Sequence, residues 1–165
     1  MAMNSLKDVY LDQLQDLYSA CKQSAPITAD MAKAASDKDL AAALKAGVDG
    51  IETGMRDIAE LCERHGIDPD GEFCKGTEGL VKEARAHAIE ADFSDDDARD
   101  AMIISQYQRL AHYAIAGYGT LLAFSKRLGQ SQDIPVLERC LDSAYEGDRT
   151  MTEIATRTVN AAAAA

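Results

Sequence analysis

The sequence predicts an all-α protein, an antiparallel four-helix bundle with a shorter extra helix in the crossover between its second and third long helices. Three observations carry this prediction. Apolar residues recur at spacings of three and four along most of the 165 residues, as in helices that bury one face. The composition is 47% hydrophobic but only 5% aromatic, with no Trp, so the interior must be built from small and aliphatic side chains that favour helix. Turn signals separate the periodic runs, so successive helices fold back on one another and bury their stripes together.

Ser5 followed by Asp8 forms a capping-box-like start, and Leu6, Val9, Tyr10, Leu14, Leu17 and Cys21 make one helical face. The stripe continues through Ile27, Met31, Ala32 and Ala35 with Pro26 inside it. Proline lacks an N–H and crowds the preceding turn, so a kink or short break is predicted near Ser24 and Ala25. Ser36 with Asp39 repeats the start signal. Leu40, Leu44, Val48, Ile51, Met55, Ile58, Leu61 and Cys62 then define a second long helix ending at Gly66. Residues 67–76 carry Asp-Pro-Asp-Gly and a further glycine, turn chemistry that makes them the crossover. A weaker run at Leu80, Val81, Ala84 and Ile89 predicts the shorter helix, lying across the outside. Ser94 ahead of Asp95, Asp96 and Asp97 starts the third long helix, since a hydroxyl and three carboxylates suit the free N–H groups of a helix start. Its stripe is Ile103, Tyr107, Leu110, Ala114, Gly117, Leu121 and Phe124, ending near Leu128 with Gly129 as terminator. Ser131 to Pro135 opens the fourth helix, which runs through Leu137, Leu141, Ala144, Asp148, Met151 and Ile154 to about Thr158. Residues 1–160 are thus expected to form one domain and residues 161–165 a disordered alanine tail. Gly47, Gly50, Gly54, Gly117 and Gly119 within the stripes, and the turns between helices, disfavour a coiled-coil rod.

Charge and cysteine usage narrow the function. Lys plus Arg number 17 against 28 Asp plus Glu, a formal charge of −11, so nucleic acid and anionic membrane surfaces should repel the chain. No apolar run approaches the roughly 20 residues of a membrane span, and the segment from Met1 to Leu6 lacks the charged and apolar regions of a secretion signal. A cytoplasmic protein is expected. Cys21, Cys62, Cys74 and Cys140 contain no CxxC pair and should be reduced thiols, with Cys21 and Cys140 buried as small hydrophobes.

Four-helix bundles of the ferritin-like kind hold two iron or manganese ions between carboxylates and histidines on their inward stripes. The polar residues on or beside such stripes are Asp49 and Glu52 in the second helix, His112 in the third beside Tyr107 and Tyr113, and Asp148 in the fourth. Without metal, His112 should be a core or interface histidine, Asp49 and Glu52 should face solvent, and Asp148 should need Arg109 or His112 as a partner.

Over about residues 6–155 the sequence resembles the YciF-type ferritin-like family, a bacterial stress-associated group. Three segments carry the resemblance: Gln13-Leu-Gln-Asp-Leu-Tyr18, Met31-Ala-Lys-Ala-Ala-Ser36 and, most specifically, Gln108-Arg-Leu-Ala-His-Tyr-Ala-Ile-Ala-Gly-Tyr-Gly-Thr-Leu121. The resemblance implies glutamates around the His-Tyr pair of the third helix, one after the Leu-Tyr of the first, and an acidic cluster in the fourth. This chain departs at those positions. Ala111 and Ala114, Cys21 and Ala144 stand there instead, Gln13 replaces an acid and Gly47 a histidine. Asp49, Glu52, His112 and Asp148 remain as metal candidates. Alanine has no donor atom, and a two-metal centre needs about four carboxylates plus histidines. The resulting expectation is a cofactor-free, non-enzymatic, structural or binding bundle, stress-associated and homodimeric. The alternative is a residual iron or manganese site on those four residues, serving oxidase or peroxide-handling chemistry. Replacing long acids with alanine leaves the centre either closed or open as an apolar pocket, and an open one would admit a small apolar ligand.

Overall fold

The computed structural model describes residues 3–165; Met1 and Ala2, which belong to the segment scanned for a secretion signal and to the expected domain, lie outside them. The described residues are almost entirely helical and contain no strand. The helices are α1 (Leu6–Ala34), α2 (Lys38–Arg64), α3 (Lys75–Ala84), α4 (Asp96–Leu128) and α5 (Ile134–Ile154). A single 3-10 turn, Pro69–Gly71, precedes α3, and a π-turn, Arg85–Ile89, follows it. A second π-turn, Ala155–Val159, extends α5 into a last α-turn, Asn160–Ala163, whose last three residues fall in the stretch expected to be a disordered tail.

Local chemistry accounts for most boundaries. Ser5 Oγ accepts the Asp8 N–H at 3.2 Å, and the Asp8 carboxylate accepts from the Asn4 N–H and Ser5 hydroxyl, both at 2.9 Å. α2 and α4 each start one residue later than predicted. Asp37 caps α2 by accepting the Leu40 N–H at 2.8 Å, and Asp95 caps α4 by accepting the Asp97 N–H at 3.0 Å. A carboxylate takes over each cap from the serine before it. α2 ends on Gly66, whose φ of 69° lets the Ile67 N–H reach the Cys62 carbonyl at 3.0 Å and its own N–H reach that of Glu63 at 3.0 Å.

Of the kink or short break expected at Pro26, the break does not occur: α1 runs unbroken through it. Pro26 is exposed while Ala25, Ile27, Thr28 and Met31 around it are buried, so packing on both sides holds the helix across the missing hydrogen bond. The α3 helix begins at Lys75, earlier than predicted, because Cys74 Sγ accepts the Thr77 N–H at 3.4 Å and serves as its cap.

End-to-end contacts fix the helix directions. The start of α1, the end of α2 and the segment before α5 meet where Tyr10, His65 and Asp133 touch. At the other end, Asp100 of α4 accepts the Ser36 and Asp37 N–H groups, at 2.9 and 2.7 Å, in the turn between α1 and α2. So α1 and α5 point one way and α2 and α4 the other, with residues 67–95 returning along the length. α1 packs on α2 and α4, α5 packs on the same two helices, and α3 rides over α1 and α4. Two buried clusters fill the interior. One holds Ile27, Met31, Leu40, Leu44, Ile103 and Ile154; the other holds Tyr10, Leu14, Ile58, Leu61, Leu121 and Leu137. No helix of the described residues is long and apolar enough to cross a membrane.

Candidate functional site at the centre of the helices

Where the two clusters meet, α1, α2, α4 and α5 surround a cavity of about 290 Å³. Leu17 and Cys21 from one cluster and Leu110 and Met151 from the other reach its walls, so it divides the core rather than sitting at an edge. Its middle is lined by Gly47, Ala111, Ala114, Ala144 and Cys21. These are five of the six positions at which the chain departs from the family pattern it resembles. Short side chains on four facing helices leave a volume that neighbouring residues do not fill. Ala46, Ser143 and Glu146, which also line it, are exposed, so the cavity opens to solvent between α2 and α5.

Three tyrosines of α4 shape the cavity wall. The Tyr107 hydroxyl lies between Gly47 of α2 and Gly147 of α5; a Cβ on either glycine would sit 2.9 or 2.8 Å from it. The Tyr118 hydroxyl is 3.4 Å from Cys21 Sγ and rests on Gly54, where any Cβ would collide with it. Tyr113 donates to Asp16 Oδ2 at 3.0 Å and lies 2.8 Å from Cys74 Sγ, tying the crossover to α4.

The thiols facing the cavity are inert. Burial, partly offset by the Tyr118 contact, pushes the Cys21 thiol up to about 11. Burial and the neighbouring Asp57 carboxylate push Cys140 up to about 12. Both are protonated near neutrality and are therefore poor nucleophiles. All four cysteines are free and buried.

The four candidate ligands do not converge. Asp49 and Glu52 are exposed on α2. His112 is not a core histidine: its side chain is 65% exposed, with Nε2 3.1 Å from Asp148 Oδ1. Asp148 thus has one of its two expected partners, and Gln108 Nε2 also donates to it at 3.0 Å. Among the described residues no three His, Cys, Asp or Glu side chains come together as a possible metal site. With one carboxylate, Glu146, and no imidazole among its lining residues, the cavity does not fit a pair of iron or manganese ions.

Sequence reasoning missed two buried carboxylates that organise the ends of the helices. Asp133, with a side chain 2% exposed, accepts from Tyr10 (2.8 Å) and Arg64 (2.6 Å) and contacts His65 Nε2 (2.6 Å). Burial works against its charge, but the hydrogen bonds from His65, Tyr10 and Arg64 outweigh that and hold its carboxyl below the usual range. With His65 Nε2 donating to Asp133, Nδ1 is left to accept from Lys7 Nζ at 2.9 Å. Asp100 of α4, fully buried, is the other, and no sequence signal singled it out. The crossover is clamped to α1 by glutamine side chains: Gln15 donates to the Asp68 carbonyl at 2.6 Å and Gln23 to that of Cys74 at 3.0 Å.

Comparison with known proteins adds a lineage to this geometry. Residues 5–164 match the family described as a domain of unknown function, DUF892. The chain is 31% identical over 161 residues to the protein YciF of Escherichia coli K12, covering 97% of this chain and 96% of that one. It is also similar to the crystal structure of the E. coli stress protein YciF, with a TM-score of 0.89, 31% identity and coverage of 96% and 99% of the two chains. A second solved structure, YcfI of Rhodopseudomonas palustris, a suggested structural protein, superposes with a TM-score of 0.85 at 27% identity, covering 91% and 94%.

Proposed function

The chain belongs to the DUF892 family, and from that premise we propose that it is a non-enzymatic, stress-associated bundle whose centre holds a small apolar molecule in place of metal ions. The fold in this reading is one ferritin-like domain, an antiparallel four-helix bundle. The helix directions and the closed ring of pairings α1–α2–α5–α4 support it. The observation that carries the functional reading is the cavity of about 290 Å³ walled by Gly47, Cys21, Ala111, Ala114 and Ala144. A pocket of mostly apolar walls with a few hydroxyls suits a neutral organic ligand. The protonated thiols and the scattered carboxylates supply neither a nucleophile nor a metal cradle. Kinship with a stress protein supports the physiological setting.

Two measurements test this reading. Protein purified without chelator should carry only substoichiometric iron or manganese; a stoichiometric pair of either metal ends it. A bicyclic hydrocarbon such as tetralin should shift the NMR resonances of residues on all four cavity helices and raise the melting temperature, and no response to it at saturation ends it equally. The reading also places the protein in the cytoplasm as a homodimer, for which light scattering should give twice 17.8 kDa. A concentration-independent monomer contradicts that part alone.

A further inference from the structure

Building on the cavity reading above, we propose that the site selects a neutral molecule of about bicyclic size bearing one hydrogen-bond acceptor, which the hydroxyl of Tyr107 engages as donor. Of the three tyrosines lining the cavity, Tyr113 is bonded to Asp16 and Tyr118 contacts Cys21. Tyr107, only 6% exposed, makes no hydrogen bond to any described residue. Its oxygen is not sealed in the core but opens onto the cavity, where a guest can accept its hydrogen bond in place of water. Its oxygen is also held in place. Gly47 on one side and Gly147 on the other come close enough that a methyl on either would crowd it. The two glycines make room for a polar group in the middle of a core, a position otherwise suited to an apolar side chain.

The properties of the guest follow from the walls. Burial and the charge of Asp148 push the Tyr107 phenol up from its ordinary value, so it stays protonated and donates. The guest therefore supplies the acceptor, such as a ketone, aldehyde or quinone oxygen. No Lys, Arg or His lines the cavity, Glu146 stands in its wall, and the chain carries a net charge of −11, so carboxylates and phosphates are turned away. An ammonium would have to give up its water to alanine and leucine walls. A dry cavity of about 150 Å³ accepts benzene; one of about 290 Å³ accepts a two-ring molecule.

The test compares tetralin, its ketone 1-tetralone and the corresponding bicyclic carboxylate as ligands of the full chain and of Tyr107→Phe, by NMR titration. Tyr107→Phe should weaken 1-tetralone by about five- to tenfold, the worth of one hydrogen bond, and leave tetralin unchanged. The carbonyl stretch of bound 1-tetralone should lie at lower frequency in the wild type than in the variant. A second variant, Gly147→Ala, displaces the same oxygen and should repeat the selective loss. Binding of both neutral probes with no dependence on Tyr107, or carboxylate binding as tight as that of the ketone, overturns the proposed selectivity and leaves the cavity reading standing. Failure of both neutral probes to bind the wild type overturns the two together.

Discussion

Removing one oxygen from Tyr107 should cost the folded protein almost nothing, although the residue is buried. Its hydroxyl bonds to no other described residue, so Tyr107→Phe is expected to leave stability unchanged or raise it by up to about 1 kcal/mol, measured by urea unfolding. Asp133 is the opposite case. Replacing it with Ala strands Tyr10, His65 and Arg64 together at the junction of three helices, and a loss of about 3 kcal/mol is expected. The pH dependence has a definite sign. Because the folded carboxyl titrates below its unfolded value near 4, its stabilisation is complete above that pH and drains away as pH falls through the folded value. The stability gap between wild type and Asp133→Asn should therefore narrow below about pH 4 in urea melts. Neither Asp133 nor Asp100 was legible as a core group, because their partners lie 63 to 123 residues away in sequence and no local period marks them.

At the scale of elements, local chemistry made the helices readable and tertiary packing set the exceptions. The apolar stripes, the capping serine of α1 and the terminating glycines at Gly66 and Gly129 correspond to what the structure holds. The starts of α2 and α4 moved by one residue because serine and aspartate stand side by side and either can cap. Gly66 is needed for its backbone alone: nothing lies within 4 Å of a Cβ placed there, yet its φ is +69°. Gly66→Ala should thus cost about 1 kcal/mol through backbone strain. Pro26 shows packing deciding between outcomes that local reasoning left open. Its ring is exposed within a helix held by buried neighbours, so Pro26→Ala should restore the hydrogen bond to the Lys22 carbonyl and raise stability by about 1 to 3 kcal/mol in thermal melts.

For the whole molecule, the central question is what occupies the space that the family pattern fills with acids. The sequence shows short side chains at Cys21, Ala111, Ala114 and Ala144, where the resemblance implied acids, but whether the helices would close over them depends on packing from four directions at once. The tyrosines of α4 answer it: braced against Gly47, Gly54 and Gly147, they hold the helices apart around the gap. A larger side chain should fill that gap. Ala114→Leu is expected to raise stability by about 1 to 2 kcal/mol and to abolish tetralin binding. The account is tested most directly by diffraction from crystals of protein purified without chelator and pressurised with xenon. It predicts xenon in the cavity bounded by Cys21, Gly47, Tyr107 and Ala144, with no metal beside it. Two metal ions at that place, or a centre closed to the gas, would contradict it.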